Sequence, residues 1–245
     1  MTTDYNTISR QYQLSKLQPW RAHIEAHSLL GLVGDLAGQS VLDVACGEGF
    51  YTRLLKEQGA SAAMGVDLSE RMIDLARAQE AAEPRGIRYE VADAAAMQLD
   101  SQFDVVVAAY LLNYAHNRQE LAAMCRGLAR SLRPGGRFVT VNSSPLLDFR
   151  QAPSFRKYGF ETSMADGAAE GAPITWTFHL ADGSFSIENY FLNREIHEEA
   201  LQEAGFREVR WHAPHLDPAG AERFGADFWD DFMSHSPIAL IECVK

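Results

Sequence analysis

Residues 41–52 read Val-Leu-Asp-Val-Ala-Cys-Gly-Glu-Gly-Phe-Tyr-Thr, and this stretch decides the fold. Its apolar start predicts a buried parallel strand, and the residues that follow favour a helix. Gly47 and Gly49 lie between the two and predict a tight turn, where the backbone can approach a ligand without an intervening Cβ. Such a turn belongs at the carboxyl end of a strand, which is where α/β sheets bind nucleotides.

The spacing of the glycines distinguishes two kinds of nucleotide site. A dinucleotide site has a third glycine that packs the helix on the strand, and this chain has Thr52 at that position. A second apolar strand ends in Asp67, where a carboxylate can accept hydrogen bonds from both hydroxyls of an adenosine ribose. The residues therefore predict a site for an adenosine-containing ligand.

Length and composition exclude several classes of protein. The chain has 245 residues with 47% hydrophobic residues, enough for the core of one large α/β domain. No apolar run reaches the length of a membrane span, and the polar N-terminus lacks a signal-peptide pattern. Three cysteines without metal-ligand spacing predict a reducing, cytoplasmic location, no disulfide and no metal.

The charge of the chain restricts its partners. The net charge is −11 and the arginines are scattered along the sequence, whereas binding to phosphates requires clustered basic side chains. We therefore expect no nucleic-acid partner and no membrane partner. A small-molecule substrate is expected instead, with the protein acting as a monomer or weak homo-oligomer.

Strand and helix patterns alternate five times from residue 41 onward, which predicts an α/β fold with a doubly wound parallel sheet. Residues 209–212 and 238–244 predict two closing strands without a crossover helix between them, hence an antiparallel pair at the sheet edge. The whole is expected to be a seven-stranded sheet, mostly parallel with an antiparallel C-terminal edge strand. In the irregular region after the fifth strand, Asp182-Gly183 predicts a β-hairpin turn.

These motifs, in this order, resemble the class I S-adenosylmethionine-dependent methyltransferases from residue 41 to residue 245. The resemblance rests on the glycine turn, on the acids Asp67 and Asp93 after strands two and three, and on Leu-Arg-Pro-Gly-Gly-Arg-Phe at 132–138. It implies a Rossmann-like fold, with S-adenosyl-L-methionine as cofactor and S-adenosyl-L-homocysteine as product.

Within the small-molecule branch of that family, the chain also resembles bacterial toxoflavin-type (azapteridine) N-methyltransferases. This second resemblance rests on Lys-Leu-Gln-Pro-Trp at 16–20 and on residues 110–115. Residues 110–114 read Tyr-Leu-Leu-Asn-Tyr, which departs from the Asn/Asp-Pro-Pro-Tyr/Phe motif of enzymes that methylate amino groups of nucleic acids.

The family resemblance implies one methyltransferase domain over residues 1–245, built from four parts. Residues 1–36 are expected to form N-terminal lid helices, and residues 37–144 the cofactor-binding core. Residues 145–193 are expected to form an inserted substrate cap, and residues 194–245 the C-terminal helix and closing strand pair.

The resemblance also implies the cofactor contacts. Asp67 would accept from the ribose hydroxyls and Asp93 from the adenine amino group, although Asp93 also fits a helix cap. Asp43 fits either a ligand contact or an acid that holds the amides of the turn. The implied cofactor-binding residues are Tyr5, Tyr12, Asp43, Ala45, Cys46, Gly47, Gly49, Asp67, Leu68, Met72, Asp93, Ala94 and Ala109.

Residues after the fourth strand and in the cap are candidates for the acceptor site. The aromatic side chains of the cap fit two roles, packing of a small core or flat walls for a heteroaromatic substrate. The expected substrate contacts are Tyr12, Trp20, Tyr110, Asn113, Tyr114, Phe149, Trp176 and Phe178. The catalytic candidates are Tyr110, Asn113, His116 and His179, with alignment favoured over base catalysis.

Together these patterns favour a methyltransferase that acts on a small, planar heteroaromatic molecule, by N-methylation, in secondary-metabolite biosynthesis. An O-methyltransferase and an amino-acid N-methyltransferase are the alternatives within the family. Alternatives of another class are an NAD-type oxidoreductase, against which Thr52 argues, and a non-catalytic module that binds the cofactor.

Overall fold

A computed structural model of the chain describes the backbone of residues 5–100, 102–164 and 169–245, and side chains from residue 10 onward in the same ranges. Ten strands are described in chain order: β1 (Ser40–Val44), β2 (Ala62–Asp67), β3 (Arg88–Val91), β4 (Phe103–Ala109), β5 (Leu132–Ser143), β6 (Phe160–Met164), β7 (Pro173–Leu180), β8 (Gly183–Tyr190), β9 (Arg207–His212) and β10 (Ile238–Val244).

Helices surround these strands, and short turns of tighter or wider helix interrupt the connections. The α-helices are α1 (Tyr5–Ser15), α2 (His27–Val33), α3 (Phe50–Glu57), α4 (Glu70–Ala82), α5 (Arg118–Ser131), α6 (Arg194–Glu203), α7 (Pro218–Phe224) and α8 (Asp230–Ser234). A π-helical segment, Arg21–Ala26, precedes α2, and 3-10 turns cover Leu112–Tyr114, Arg156–Tyr158 and Ala226–Trp229.

The main sheet has seven strands in the order β3-β2-β1-β4-β5-β10-β9. The first five are parallel to one another, and β10 runs antiparallel to both β5 and β9. The Rossmann-like, mostly parallel sheet with an antiparallel C-terminal strand is confirmed. The reversed strand β10 lies one position in from the edge, and β9 lies outside it.

The core lies on both faces of this sheet, because successive side chains of a strand point to opposite sides. Val41 of β1 and Val105 of β4 belong to one hydrophobic cluster, whereas Leu42 and Val106 belong to a second cluster on the other face. All four side chains are fully buried. This arrangement explains why the central strands are continuously apolar in sequence.

The strand order places the ligand site. The chain leaves β1 toward β2 on one side, and it later returns to add β4 on the other side of β1. The loops after β1 and β4 therefore diverge, and they leave a crevice between them at the carboxyl ends of the strands. The glycine turn of residues 45–49 and the segment after Ala109 flank this crevice.

A second, three-stranded antiparallel sheet of order β6-β7-β8 lies in the region expected to be the cap. Strands β7 and β8 form the predicted hairpin, with Leu180 paired to Gly183 at its turn. Strand β6 was not predicted. It pairs with β7 through partners such as Phe160 and Phe178. Their aromatic rings are buried against the N-terminal segment, by which we mean residues 5–36.

The N-terminal segment is tied to this small sheet by polar and aromatic contacts. Gln18 Nε2 donates to the carbonyl oxygen of Gly159 at 2.6 Å, and Gln18 Oε1 accepts from Trp20 Nε1 at 3.0 Å. The Trp20 ring is fully buried, with its centroid 4.9 Å from that of Phe160. Among the described residues, no helix has the length and apolar character to cross a membrane.

Candidate active site

A cavity of about 390 Å³ opens at the carboxyl ends of β1, β2 and β4. Its volume falls within the range of small-molecule and cofactor sites. The loops that follow β1, β2, β3 and β4 contribute most of its lining. The lining residues are Tyr12, Val44, Ala45, Gly47, Asp67, Leu68, Met72, Ala92, Asp93, Ala94, Ala95, Ala109, Tyr110, Leu111, Tyr114, His116, Glu120, Ala123 and Met124.

The glycine turn gives this cavity its open floor. Gly47 has a φ of 56°, and a Cβ built at this position would meet no atom within 4 Å. A side chain at residue 47 would therefore take up space beside the cavity in a strained backbone conformation. Ala45 also has a positive φ, of 60°, which is uncommon for a residue with a Cβ. The turn is held in an unusual shape where the cavity needs close approach to the backbone.

Asp67 is held by the backbone on both of its carboxylate oxygens. Its Oδ2 accepts from the amide of Gly47 and its Oδ1 from the amide of Ser69, both at 2.8 Å. Burial raises the pKa of this carboxyl, and these hydrogen bonds oppose the rise. The side chain lines the cavity in a fixed orientation, as recognition of vicinal hydroxyls requires.

The end of the cavity around β3 is apolar with one acid. Asp93 lines it and its Oδ1 accepts from the Ala95 amide at 2.9 Å, so this side chain also caps a turn. Ala94 lines the same end. Leu68 is 72% exposed although it is a large apolar residue, and Met72 is buried beside it. An apolar flat group bound here would cover Leu68 and find a hydrogen-bond acceptor in Asp93.

A smaller, charged cavity of about 20 Å³ lies behind the glycine turn and is lined by Lys16, Asp43, Glu48 and Cys46, among others. Asp43 is buried and its Oδ2 accepts from Thr52 Oγ1 at 2.6 Å, so the threonine in place of a third glycine anchors this acid. Burial raises the pKa of Asp43 to about 7. Burial likewise raises the pKa of the Cys46 thiol, which keeps it protonated and unreactive.

A third cavity, which we name the aromatic cavity, holds only about 10 Å³, enough for one water. Tyr12 and Tyr110 line both this cavity and the large one, so they form a shared wall. The residues that line the aromatic cavity are Tyr12, Trp20, Arg21, Tyr110, Trp176, Phe178, Ile187 and Asn189.

The aromatic rings of the cap pack mainly on one another, which fits the first of the two roles expected for them, the packing of a small core. Trp176 stacks on Phe178 with centroids 6.1 Å apart and on Phe160 at 5.2 Å. Trp20 stacks on Trp176 at 6.4 Å with planes 24° apart. The stacked rings fill the space between the N-terminal segment and the cap, because edge-to-face and offset-stacked contacts of buried rings are favourable.

A buried ion pair joins the N-terminal segment to the shared wall. Glu25 is fully buried, and its carboxylate accepts from Arg21 Nη1 at 2.6 Å, from the Tyr51 hydroxyl at 2.5 Å and from the Tyr110 hydroxyl. Tyr110 follows β4 directly and has a φ of 62°, a strained conformation for a tyrosine. The hydrogen bond to Glu25 thus helps to hold Tyr110 at the end of the strand.

Sequence patterns missed this network. Arg21 and Glu25 are spaced i, i+4 on a helix, a pattern that usually indicates a solvated ion pair. The sequence signal for their burial is that apolar residues, Trp20 and Ile24, lie next to them in the chain. Both of these residues are fully buried in the structure. The π-helical geometry of Arg21–Ala26 could not be foreseen, and π-helical turns frequently accompany functional sites.

Other predicted residues of the strand-four segment are brought to the site in different ways. Tyr114 and His116 line the large cavity rather than the aromatic one. His116 Nδ1 lies 2.8 Å from Glu120 Oε2, and its ring lies 3.8 Å from that of Tyr190. Asn113, in contrast, is buried and lines none of the described cavities, and neither Oδ1 nor Nδ2 of its amide has a hydrogen-bond partner.

Besides Asn113, three predicted site residues line none of these cavities, and one lies outside the described side chains. His179 does not line these cavities, since its Nε2 pairs with Glu161 Oε2 at 2.9 Å on the small sheet. Phe149 packs against the core instead of a cavity. Gly49 has a φ of 83° and shapes the turn against the Tyr89 ring, without lining a cavity. The side chain of Tyr5 is outside the described part.

The donor set fits a nucleoside and offers no metal site. In the part of the chain with described side chains, no group of three His, Cys, Asp or Glu residues is placed to hold a metal ion. The large cavity combines a fixed carboxylate, Asp67, with open space at Gly47 and an exposed apolar face at Leu68. The carboxylate fits the ribose hydroxyls of S-adenosylmethionine, and the apolar face of Leu68 fits its adenine. The open space at Gly47 lets the cofactor approach the backbone.

Comparison with known proteins agrees with this geometry. Residues 41–136 match a family model described as a methyltransferase domain. The chain is 31% identical over 148 residues to a demethylmenaquinone methyltransferase of Lactococcus lactis subsp. lactis, covering 59% of this chain and 56% of that protein. It is 27% identical to an N-demethylindolmycin N-methyltransferase of Streptomyces griseus, covering 74% of each.

The fold is shared with solved structures over nearly the whole chain. An S-adenosylmethionine-dependent methyltransferase from Mesorhizobium loti superposes with a TM-score of 0.64 at 24% identity, covering 94% of this chain and all of that one. In sequence, the chain spans about half the length of most of the curated relatives it matches. The matched domain and the shared fold agree with the resemblance of the chain to the class I S-adenosylmethionine-dependent methyltransferases.

Proposed function

We propose that the protein is an enzyme that transfers a methyl group from S-adenosylmethionine to a small molecule. The observation that carries this proposal is the 390 Å³ cavity at the carboxyl ends of the strands, with Asp67 fixed on one side and Tyr110 on the other. The matched methyltransferase domain covers both residues. Proposed cofactor contacts are the sequence-predicted residues that line this cavity.

When bound, S-adenosylmethionine supplies a methyl group on a positively charged sulfur, which an acceptor displaces in line. The protein residues then have to bind the cofactor and the acceptor, align their reacting atoms and exclude water. Asp67 accepts from the ribose hydroxyls, and Asp93 and Leu68 hold the adenine. Lys16, which the sequence prediction missed, lies in the small charged cavity with Asp43, where it can neutralise the amino-acid carboxylate of the cofactor.

We further propose that the acceptor is planar and heteroaromatic and that it is methylated on nitrogen. It would continue the stack of Trp20, Trp176 and Phe178 beside Tyr110. The relative from Streptomyces griseus is named for N-methylation of a small molecule, which supports this choice.

The N-terminal segment and the cap have to separate for such an acceptor to enter, because the aromatic cavity admits only one water as it stands. This requirement supports the division into lid helices (1–36), cofactor-binding core (37–144), substrate cap (145–193) and C-terminal part (194–245). Gln18 and Trp20 would be the contacts that open. A cytoplasmic protein that acts as a monomer or weak homo-oligomer is part of the same proposal.

Calorimetry and a product assay test this function together. Isothermal titration with S-adenosylmethionine is expected to show one site per chain, while NAD shows none. Release of S-adenosylhomocysteine is then measured with lumazine, 4-nitrophenol and tryptophan as acceptors. Turnover of lumazine supports the heterocycle, whereas 4-nitrophenol or tryptophan alone points to a hydroxyl or an amine.

Two outcomes would contradict the proposal at different levels. Binding of NAD without binding of S-adenosylmethionine would leave an oxidoreductase as the better account. Tight binding of S-adenosylmethionine without product from any acceptor would favour a cofactor-binding module.

A further inference from the structure

The buried carboxylate of Glu25 has no assigned role in cofactor binding, and it does not line any of the cavities described above. It is fully buried and paired with Arg21, whose own side chain is almost fully buried. A buried ion pair of this kind contributes little net stability, because the loss of hydration offsets much of the attraction. Its position behind the shared wall of two cavities therefore calls for a further explanation. Any role of Glu25 in the reaction rests on the proposed methyl transfer.

Tyr110 connects Glu25 to the place where an acceptor would react. Its hydroxyl donates to Glu25 Oε2, and its side chain lines both the large cavity and the aromatic cavity. The Tyr110 ring lies 6.3 Å from that of Trp176, centroid to centroid. A hydroxyl that donates to a carboxylate still has a lone pair, and this lone pair can accept a hydrogen bond from an acceptor N–H or O–H.

Tyr110 cannot by itself act as a general base, because a base has to be deprotonated before it accepts a proton. Burial and the neighbouring Glu25 raise its pKa well above the ordinary value, so the hydroxyl stays protonated at neutral pH. A protonated tyrosine beside a carboxylate can nevertheless pass a proton on. It receives one proton on its oxygen while it gives its own proton to the carboxylate.

Other groups are less well placed to take a proton. The side chains that line the aromatic cavity include no carboxylate and no imidazole. His116 lines the large cavity and is paired with Glu120, and His179 is paired with Glu161 outside the cavities. Of the side chains that line the aromatic cavity, Arg21 and Tyr110 both contact Glu25.

We propose that Tyr110 and Glu25 form a proton relay, which makes the site specific for acceptors that lose an N–H or O–H proton on methylation. As the acceptor atom bonds to the methyl carbon, the carbon–sulfur bond of the sulfonium breaks and its electrons stay on sulfur. The acceptor proton moves to the Tyr110 oxygen, and the Tyr110 proton moves to Glu25. Arg21 holds the carboxyl group in place in both states.

Several charged and titratable groups face Glu25 and bear on any pH test. Arg21 is on its own helical segment, Tyr51 is on α3 and Tyr110 follows β4. Tyr12 and Lys16, in the N-terminal segment, also interact electrostatically with Glu25.

The test uses Tyr110→Phe with Tyr51→Phe as a matched control. Each variant removes one buried hydroxyl that donates to Glu25. Tyr51 lines the small charged cavity but neither the large nor the aromatic cavity, so its hydroxyl lies away from the proposed acceptor. With lumazine as acceptor, Tyr110→Phe is expected to lower kcat about 100-fold at pH 6.5, as loss of a proton acceptor does. Binding of lumazine, followed by tryptophan fluorescence, is expected to change by less than about 3-fold.

The decisive readout is rescue by alkaline pH. Lumazine loses its N–H proton in solution as the pH rises, so it then arrives without the proton that the relay would remove. The deficit of Tyr110→Phe relative to wild type is expected to shrink by at least about 10-fold between pH 6.5 and 9.5. Tyr51→Phe is expected to show no deficit that depends on pH. Glu25→Gln is expected to follow Tyr110→Phe if it folds.

A spectroscopic measurement does not depend on turnover. Neutral and ionised lumazine absorb at different wavelengths, so its ionisation can be followed while bound with S-adenosylhomocysteine. The wild-type complex is expected to hold the ionised form at a lower pH than the Tyr110→Phe complex, and Tyr51→Phe is expected to match wild type.

Three results would overturn the relay. The first is a Tyr110→Phe deficit that is the same at both pH values, and the second is no deficit at all. The third is a wild-type protein that binds S-adenosylmethionine yet methylates neither lumazine nor 4-nitrophenol, since both lose a proton. Failure to bind S-adenosylmethionine is a different result, because it overturns the proposed function itself.

Discussion

The proposed cofactor side and the proposed acceptor side of the site are built in opposite ways. The cofactor side is an open cavity of about 390 Å³ whose lining comes mainly from short stretches after β1, β2, β3 and β4. The acceptor side is closed to about 10 Å³ by rings as distant in sequence as Trp20 and Trp176. A site for a shared cofactor is encoded locally, whereas a site for a particular acceptor depends on contacts between distant segments.

The largest expected effect concerns the junction between N-terminal segment and cap. Trp20→Ala is expected to lower the free energy of unfolding by about 3–5 kcal/mol, because a fully buried ring is lost from a packed cluster. Chemical unfolding in urea measures it. The same substitution at Trp211, a half-buried residue on β9, is the control and is expected to cost less. Equal costs would contradict the view that the junction is a packed structural unit.

The second prediction concerns Asp43 on the cofactor side. Its pKa is raised to about 7 in the folded protein from an ordinary value near 4, so the folded state binds the proton more tightly. This group therefore stabilises the fold at low pH, and that stability is lost as the pH rises through about 7.

Asp43→Asn removes this titration while it keeps an acceptor for the Thr52 hydroxyl. The variant is expected to gain stability relative to wild type as the pH rises from 4 to 8, measured by thermal unfolding without cofactor. A wild-type protein and variant with parallel stability curves over this range would show that Asp43 is not the group responsible.

The third prediction tests the fixed carboxylate. Asp67→Ala is expected to weaken binding of S-adenosylmethionine by about 1–3 kcal/mol, because a positioned charged acceptor for the ribose is lost. Titration calorimetry measures this loss. Asp104→Ala is the control, because Asp104 is an acid of β4 that does not line the large cavity. It lies near the start of that strand, where it accepts hydrogen bonds from the Ser40 amide and from Arg133. The account fails at this point if both variants bind equally well.

The smallest expected effect is at an exposed leucine. Leu68→Ala is expected to weaken binding of S-adenosylmethionine by about 0.5–1 kcal/mol, since part of the apolar area that the adenine covers is removed. The free energy of unfolding of this variant is expected to equal that of wild type, because the Leu68 side chain is 72% exposed. Leu17→Ala, at a leucine that is 80% exposed, is expected to leave both properties unchanged. A stability loss without an affinity loss at Leu68 would reverse the assignment.

The same contrast explains what could be predicted from the sequence. The seven-stranded sheet, its antiparallel C-terminal strand and the turn at Gly47 follow from patterns within short windows. Asp67 ends β2 and Asp93 lies two residues after β3, and both line the large cavity because the pattern already determines the direction of these strands. Parallel strands bring such ends together without any further information.

The remaining features depend on tertiary contacts. Glu25 and Arg21 resemble a solvated pair until the cap and the end of β4 cover them. His179 was a plausible base by its place in a hairpin, yet its ring is paired with Glu161 on the small sheet. Side chains on a hairpin alternate between faces, and which face meets the cavity depends on how the small sheet docks.

A crystal structure of the protein with S-adenosylhomocysteine tests the central claim most directly. The account predicts the ribose hydroxyls within hydrogen-bond distance of Asp67, the adenine beside Leu68 and Asp93, and the sulfur next to Ala109 and Tyr110. Electron density for the nucleoside anywhere else, or an empty cavity at saturating concentration, would contradict it.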